Sequence, residues 1–343
     1  MNAKSPPAQP SSGYVLAIGA ANMDITASTD HVLLARDSTP GRIRCAPGGV
    51  ARNVAENLAR LGLDVRLCSV LGDDPYGAIV LEHTRQAGVD VQGCEMLRGH
   101  ATSSYLSLHG PDGDMALALN DMEILDQLTP ARLQAGGADT WQAAVLLLDC
   151  NLPQSTLDWL CAHAAQTPLF VEAVSAFKCR RVLPWLAQVH TLKANRIEAQ
   201  ALTGRSLDSD AELVEAARWL HGRGVRQVVL SLGERGLFWS DAADGHGWQP
   251  AIEVAVCNAS GAGDAVMAGL LYGFLQSMPL REAVGFAAGC AALTLGAPSA
   301  NHPGLGVARV RQLLAQGACP KPPSTVAGAT GALPGCTGGP TVR

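Results

Sequence analysis

The chain has 343 residues, with 25 Lys and Arg against 30 Asp and Glu, a formal net charge of −5. That length holds one large domain or two ordinary ones, and an acidic balance without a basic block excludes a nucleic-acid coat or an anionic membrane surface as partner, because neutralising phosphates takes clustered Lys and Arg. Hydrophobic residues make up 48% and aromatic ones only 4%, so Ala, Val and Leu must fill the core and small molecules are the expected partners.

Residues 1–12 are rich in Pro and Ser and lack a charged segment leading into an apolar one, so they are expected to be a disordered segment and not a secretory signal. The same composition argument assigns 317–343, ending GCTGGPTVR, to a disordered tail. No apolar run reaches membrane-spanning length. The ten cysteines show neither a CxxC pair nor zinc-site spacing, which predicts free thiols and a reduced, cytoplasmic setting.

The folded unit is therefore 13–316. Within it the apolar runs at 14–20, 65–72, 143–150, 169–175, 190–195 and 226–233 alternate with segments of helical rhythm. Runs this apolar need cover on both sides, which predicts an α/β, doubly wound, mostly parallel sheet with helices on both faces. Shorter alternating segments at 24–30, 41–46, 102–109 and 114–120 predict a small antiparallel sheet inserted early in the chain (lid strands about 24–46 and 101–121), with a hairpin turn at Gly110-Pro-Asp-Gly113. Such a sheet can cover a site or pair with another subunit.

Pro47-Gly48-Gly49 opens a helix whose buried stripe is Val50, Val54, Leu58 and Leu61, leaving Asn53 off the stripe near the helix start. With Asp24 at the end of the first strand it offers an acceptor and an amide for sugar hydroxyls; Gly-Gly before a helix also serves as a plain turn. Asn195 and Glu198 share one face of a helix start and suit water-mediated Mg²⁺ and phosphate contacts, or an ordinary helix cap. Ser231, Gly233 and Gly236 form a turn after the next strand, where doubly wound folds bind nucleotides and where a tight turn also fits.

The strongest local signal is Asn258-Ala-Ser-Gly-Ala-Gly-Asp264 before a hydrophobic helix, with a strand predicted over 251–256. The amides of Gly261, Ala262 and Gly263 then stand at a helix N-terminus, where small residues and the helix dipole admit an anion. Asp264 follows in the first turn, placed to take a proton from an attacking hydroxyl, or merely to complement the dipole. The motif is neither a GxxxxGK[ST] loop nor a GxGxxG fingerprint.

In order, GG-x-x-x-N, N-x-x-E, S-x-G-x-x-G and GAGD resemble the ribokinase superfamily of ATP-dependent sugar and nucleoside kinases over about 14–316. The resemblance implies ATP and Mg²⁺, with Asp264 as catalytic base for a 5′-hydroxyl and Gly261, Ala262 and Gly263 holding the developing charge. It places Asp24, Gly48, Gly49 and Asn53 on the ribose and Ser231, Gly233 and Gly236 on the ATP. Asn195 is assigned to the nucleotide phosphates and Glu198, indirectly, to Mg²⁺. Asn258 stands where ribokinases carry an Asp of a monovalent-cation site, which leaves Asn258 and Ser260 as a K⁺ site.

Within that superfamily, 38–62, 102–108, 120–124, 148–153, 173–179, 190–199 and 258–270 resemble the pseudouridine kinases. That likeness implies a C-linked pyrimidine nucleoside as substrate, base-reading side chains at Thr102, Ser103, Asn120, Asp121 and Ser38, and a homodimer joined through the lid. Two departures stand out: Glu172-Ala173 replaces an Asp-Pro pair, and Ala194 replaces a Pro. The competing expectations are a kinase for ribose or adenosine and a catalytically silent nucleoside or nucleotide sensor.

Overall fold

The computed structural model describes residues 13–135, 142–164 and 166–317. The two ends expected to be disordered lie outside the described residues, apart from Gly317, the last residue of the final helix.

A nine-stranded sheet has seven parallel strands in the order β5 (Asp90–Leu97), β4 (Val65–Gly72), β1 (Val15–Ile18), β8 (Val145–Asp149), β9 (Leu169–Glu172), β10 (Val189–Asn195), β11 (Gln227–Ser231). An antiparallel hairpin of β12 (Leu237–Asp241) and β13 (Gly245–Gln249) extends it beyond β11. Alternate residues serve opposite cores, Val15 and Ala17 one and Leu16 and Ile18 the other, which is why β1 is apolar at every position. One face is covered by α1 (Val50–Arg60), α2 (Pro75–Gln86), α7 (Ala262–Leu275), α8 (Leu280–Leu295) and α9 (Val307–Gly317) through residues such as Val54, Val80, Met267, Val284 and Val310. The other is covered by α3 (Pro130–Ala135), α4 (Gln154–His163), α5 (Arg196–Thr203) and α6 (Asp210–His221) through Leu133, Leu157, Leu202 and Leu213. No helix among the described residues is long and apolar enough to cross a membrane.

A second sheet has the order β3 (Arg42–Gly48), β2 (Asn22–Ser28), β6 (Ser104–His109), β7 (Met115–Asp121). Its four strands fall where the alternating segments predict them, and Gly110 and Asp114 close the β6–β7 hairpin. The central pair β2–β6 is parallel, however, not antiparallel as expected. Both strands leave the same end of the main sheet, β2 after β1 and β6 after β5, so they start in the same direction. The strand expected over 251–256 is also absent: those residues form no ladder.

The chain goes from β1 to β4 and β5 on one side, and β8 opens the run on the other, so the ends of β1 and β8 diverge into a crevice. Asp149, fully buried at the end of β8, closes the base of that crevice. Its Oδ2 accepts from Ala20 N at 2.8 Å and Ala51 N at 3.0 Å, and its Oδ1 accepts from Asn151 N at 2.9 Å. One carboxylate thus ties together β1, β8 and the start of α1. Replacing it strands three backbone donors away from water. Asp149→Ala is expected to lower unfolding stability by about 3 kcal/mol, measured as a fall in the urea midpoint with an unchanged slope.

Candidate active site

The last motif lies at the start of α7. Gly261 is its N-cap at φ 79°, a conformation that favours glycine, and a Cβ there would strike the carbonyl of Ala300. Ala262, Gly263 and Asp264 make the first turn, so their amides are among those a helix leaves unpaired. A Cβ on Gly263 would stand 2.6 Å from Lys193 Nζ, which puts a buried ammonium beside that turn.

Lys193 escaped the sequence reading; the signal was a lysine at a buried position of β10, between Leu192 and Ala194. It lies beside Glu172 of β9 and donates to its Oε1 at 2.8 Å. Burial works against the ammonium, but Glu172, Glu198 and Asp264 outweigh it and its pKa is raised. The Glu172-Ala173 departure thus supplies an ion pair across adjacent strands, with Glu172 Oε2 buried and unpartnered among the described residues.

Asp264 Oδ2 accepts from Asn53 Nδ2 at 2.8 Å, bringing together the motifs that open α1 and α7 from 211 residues apart. Burial pushes the Asp264 carboxyl up to about 7, with Asn53 and Lys193 opposing and Asp149 and Asp24 adding to the rise. A base poised near neutrality suits proton abstraction from an alcohol. Asp24, on β2, accepts from Asn22 Nδ2 at 2.6 Å and is also raised by burial. A side chain at Gly48 would collide with the Asp24 carboxylate, and one at Gly49, φ 101°, with the backbone of Ala20 and Ala21. The two glycines therefore let Asp24 and the backbone after β1 pack directly against the start of α1.

A cleft of about 1000 Å³ runs from Ser231, Gly233 and Gly236 to Ala262 and Gly263. Its apolar wall is Ile252, Val254, Val256, Ala288, Ala291 and Leu295. An apolar slot ending at unpaired helix amides suits a planar base with phosphates at the far end. The segment 251–256, expected as a strand, serves as part of this wall.

Other expected residues are engaged elsewhere. Asn195 and Glu198 form a capping box: Asn195 Oδ1 accepts from Glu198 N at 2.9 Å, while the Glu198 carboxylate accepts from Asn195 N and Nδ2, both at 2.7 Å. The cap alternative is therefore realised, and both Glu198 oxygens are occupied. Thr102 Oγ1 donates to Asp74 Oδ1 at 2.7 Å and accepts from Gly72 N at 3.0 Å, holding the corner between β4 and α2. Ser103 Oγ is buried without a partner among the described residues. Across the lid, Asp24, Tyr105 and Asn120 lie in one cross-strand row and share a face, whereas Asp121, in the row of Met23 and Ser104, belongs to the opposite face. Ser38 is exposed in the connector between β2 and β3. Asn258 closes its own turn, accepting from Ser260 N at 2.9 Å and donating to Pro298 O at 3.3 Å.

Among the described residues no three His, Cys, Asp or Glu side chains converge as a metal site. The donors present fit a magnesium ion carried by nucleotide phosphates and water, and not one caged by protein carboxylates.

The fold and site define a kinase of the ribokinase type. Residues 12–305 match the pfkB family of carbohydrate kinases, and the chain belongs to that family; it is an ATP-dependent kinase of the sugar and nucleoside class. It is 42% identical to the pseudouridine kinase of Escherichia coli (strain K12) over 89% of this chain and 98% of that one. It is 41% identical to the uncharacterized sugar kinase YeiI of the same organism over 85% of this chain and 81% of that one. The structure of Arabidopsis thaliana ribokinase complexed with ribose and ATP shares the fold, with TM-score 0.79 at 20% identity, covering 88% of this chain and 98% of that one.

Because the folded-state pKa of Asp264 is raised from 3.8 to about 7, the protonated form is the better buried one. Its contribution to stability is complete below about pH 4 and is lost as the pH rises through about 7. Asp264→Asn removes that titration. The variant is expected to gain stability over the parent between pH 4 and pH 8, on the order of 1–3 kcal/mol, read from urea midpoints at the two pH values.

Proposed function

We propose that the protein transfers the γ-phosphoryl group of ATP to the 5′-hydroxyl of pseudouridine, giving pseudouridine 5′-phosphate and ADP. The observation that carries this reading is the Asn53–Asp264 contact. It joins the start of α1, where Asp24 packs on Gly48, to the anion turn at the end of the nucleotide-sized cleft. The likeness to the pseudouridine kinase, which extends through lid and core alike, supports the choice of nucleoside.

In this mechanism Asp24 and the two glycines seat the ribose, and Asp264 takes the proton as the 5′-oxygen attacks the γ-phosphorus. The bond from that phosphorus to the ADP oxygen breaks, and the proton remains on Asp264 until product leaves. The amides at the start of α7 and the Lys193 ammonium face the charge that develops on the transferring group. A magnesium ion arriving with the nucleotide supplies further phosphate neutralisation. Asn120, sharing the face of Asp24, and the unpartnered Ser103 hydroxyl remain the polar groups for the base edge.

The 41% identity to a sugar kinase favours a second reading, in which the same base serves ribose or another sugar. A substrate panel decides between them. With ATP, ADP release is expected to be faster with pseudouridine than with uridine, adenosine or ribose at equal concentration. Ribose or adenosine turned over faster than pseudouridine overturns the substrate assignment. Adding K⁺ to the same assay tests the cation site at Asn258 and Ser260.

The lid supports a homodimer. The rows Cys45–Ile25–Leu106–Leu119 and Ile43–Ala27–Leu108–Leu117 put eight apolar residues on the face opposite Asp24, and Ile43, Leu106, Leu117 and Leu119 are exposed in the single chain. A second copy of that face would cover it. Leu119→Glu is expected to convert a dimer to a monomer in light scattering; a parent chain that is already monomeric at micromolar concentration defeats the assembly.

A further inference from the structure

Arg52 is the largest fully buried side chain among the described residues, 1% exposed, at a position that neither the helix stripe nor the glycine motif explains. An arginine in such a place must have every donor occupied, and this one does. Its Nε donates to Thr84 Oγ1 at 3.2 Å and its Nη2 pairs with Glu56 one helical turn on, with His83 Nδ1 3.1 Å away. Its Nη1 reaches three oxygens: Pro47 O at 2.9 Å, Asn301 Oδ1 at 3.0 Å and Asn53 Oδ1 at 2.7 Å.

The last contact has a chemical consequence. The two ends of an asparagine amide are similar in size and opposite in role, one accepting and one donating. A guanidinium only donates, so it accepts nothing but the oxygen end beside it. With Oδ1 held by Arg52, the Asn53 NH₂ must face the other way, toward Asp264 Oδ2 at 2.8 Å. The reversed amide would set NH₂ against a guanidinium and an oxygen against a carboxylate, two repulsive contacts in a buried site. Asn301 adds a second hold: its Nδ2 donates to the backbone oxygen of Asn53 and to Asn57 Oδ1, both at 2.9 Å. It also follows Ala300, whose carbonyl packs on Gly261 at the anion turn. Asp264 Oδ1 carries no hydrogen bond among the described residues.

We propose that Arg52 is a positioning residue for the phosphoryl transfer: its guanidinium selects which end of the Asn53 amide faces Asp264, so that Oδ2 is held and Oδ1 is presented to the acceptor hydroxyl. The proposal rests on Asp264 being the base. It assigns Asn53 to the base as well as to the sugar, and it gives the Arg52–Glu56 pair a part in catalysis without contact to substrate.

Losing the donated hydrogen bond disfavours the ionised carboxylate, which moves the Asp264 titration upward. The other charged groups that bear on Asp264 are the carboxylates of Asp24, Asp149 and Glu172, which act in the same direction, and Lys193 and Arg52, which oppose it. None but Arg52 is altered in the test.

Two variants make the test robust to misfolding. Arg52→Lys keeps a charge for Glu56, but one ammonium on a straight chain cannot also hold Asn53 in the same geometry. Arg52→Met/Glu56→Met removes donor and acceptor together, and Arg60, which also pairs with Glu56, keeps solvent exposure and its bond to Pro303 O. For each, kcat, KM and the pH profile of kcat/KM are measured with the preferred nucleoside and ATP. The expected result is kcat lower by about 10- to 100-fold, KM within about threefold, and the acid limb of kcat/KM moved up by about one pH unit. The shift should be smaller for Arg52→Lys. A folded variant whose acid limb stays in place overturns the proposal, whether kcat is unchanged or falls equally at every pH, because a merely structural role predicts the latter. Asp264→Asn separates the two levels: if it turns over near the parent rate, the base assignment itself fails, whereas an inactive Asp264→Asn beside unmoved limbs defeats the role of Arg52 alone.

Discussion

The site depends on a buried carboxylate that has no chemistry of its own. Asp149 sits where the strand order of the parallel sheet reverses, and without an acceptor there the ends of β1 and β8 and the first turn of α1 would face one another with unpaired amides. Three backbone donors converging on two oxygens offset much of the cost of burying the charge, although burial still raises its pKa. The rest follows in sequence. The start of α1 is pinned by Ala51, so Arg52 and Asn53 leave the helix at a set height. Asn53 then meets Asp264 at the start of α7, whose own approach is limited by Gly261 against Ala300.

Charge is concentrated around that meeting point. Asp24, Asp149, Glu172 and Asp264 lie close enough to influence one another, with Lys193 and Arg52 as the buried cations among them. Burial, with a smaller contribution from Asp149 and Asp24, raises Asp264 toward neutrality, which suits a proton acceptor and costs stability. The local concentration of charge also explains how a chain of net charge −5 can handle an anionic nucleotide. One end of the cleft is made of helix amides with a lysine beside them, local features to which overall charge is irrelevant.

How far the sequence could be read varied with the range of the interaction. The parallel strands were legible because a strand buried on both faces is apolar throughout, as β1 and β8 are. The lid strands were legible from alternation, but not the parallel pairing of β2 with β6, which follows from where β1 and β5 end. The cap formed by Asn195 and Glu198 was one of two local readings, and only the geometry shows both carboxylate oxygens occupied within it. Thr102 likewise looked like a side chain for a base edge, and Asp74, brought to it by the turn into α2, claims its hydroxyl. Lys193 and Arg52 gave weak signals because nothing in their own segments distinguishes them from surface cations, and the meaning of each lies in partners on other elements.

The sequence by itself determined the layered α/β architecture, the inserted lid, and the short-range turns that put glycines and Asp264 at a helix start, since periodicity and backbone preference act over a few residues. Only the tertiary structure decided what those turns face. The contact of Asn53 with Asp264, the placing of Lys193 beside Gly263 and the hydrogen bond from Arg52 to Asn301 each join segments far apart in the chain. Their partners are chosen by packing and by the need to satisfy every buried donor and charge, conditions that exist only once the chain has closed on itself.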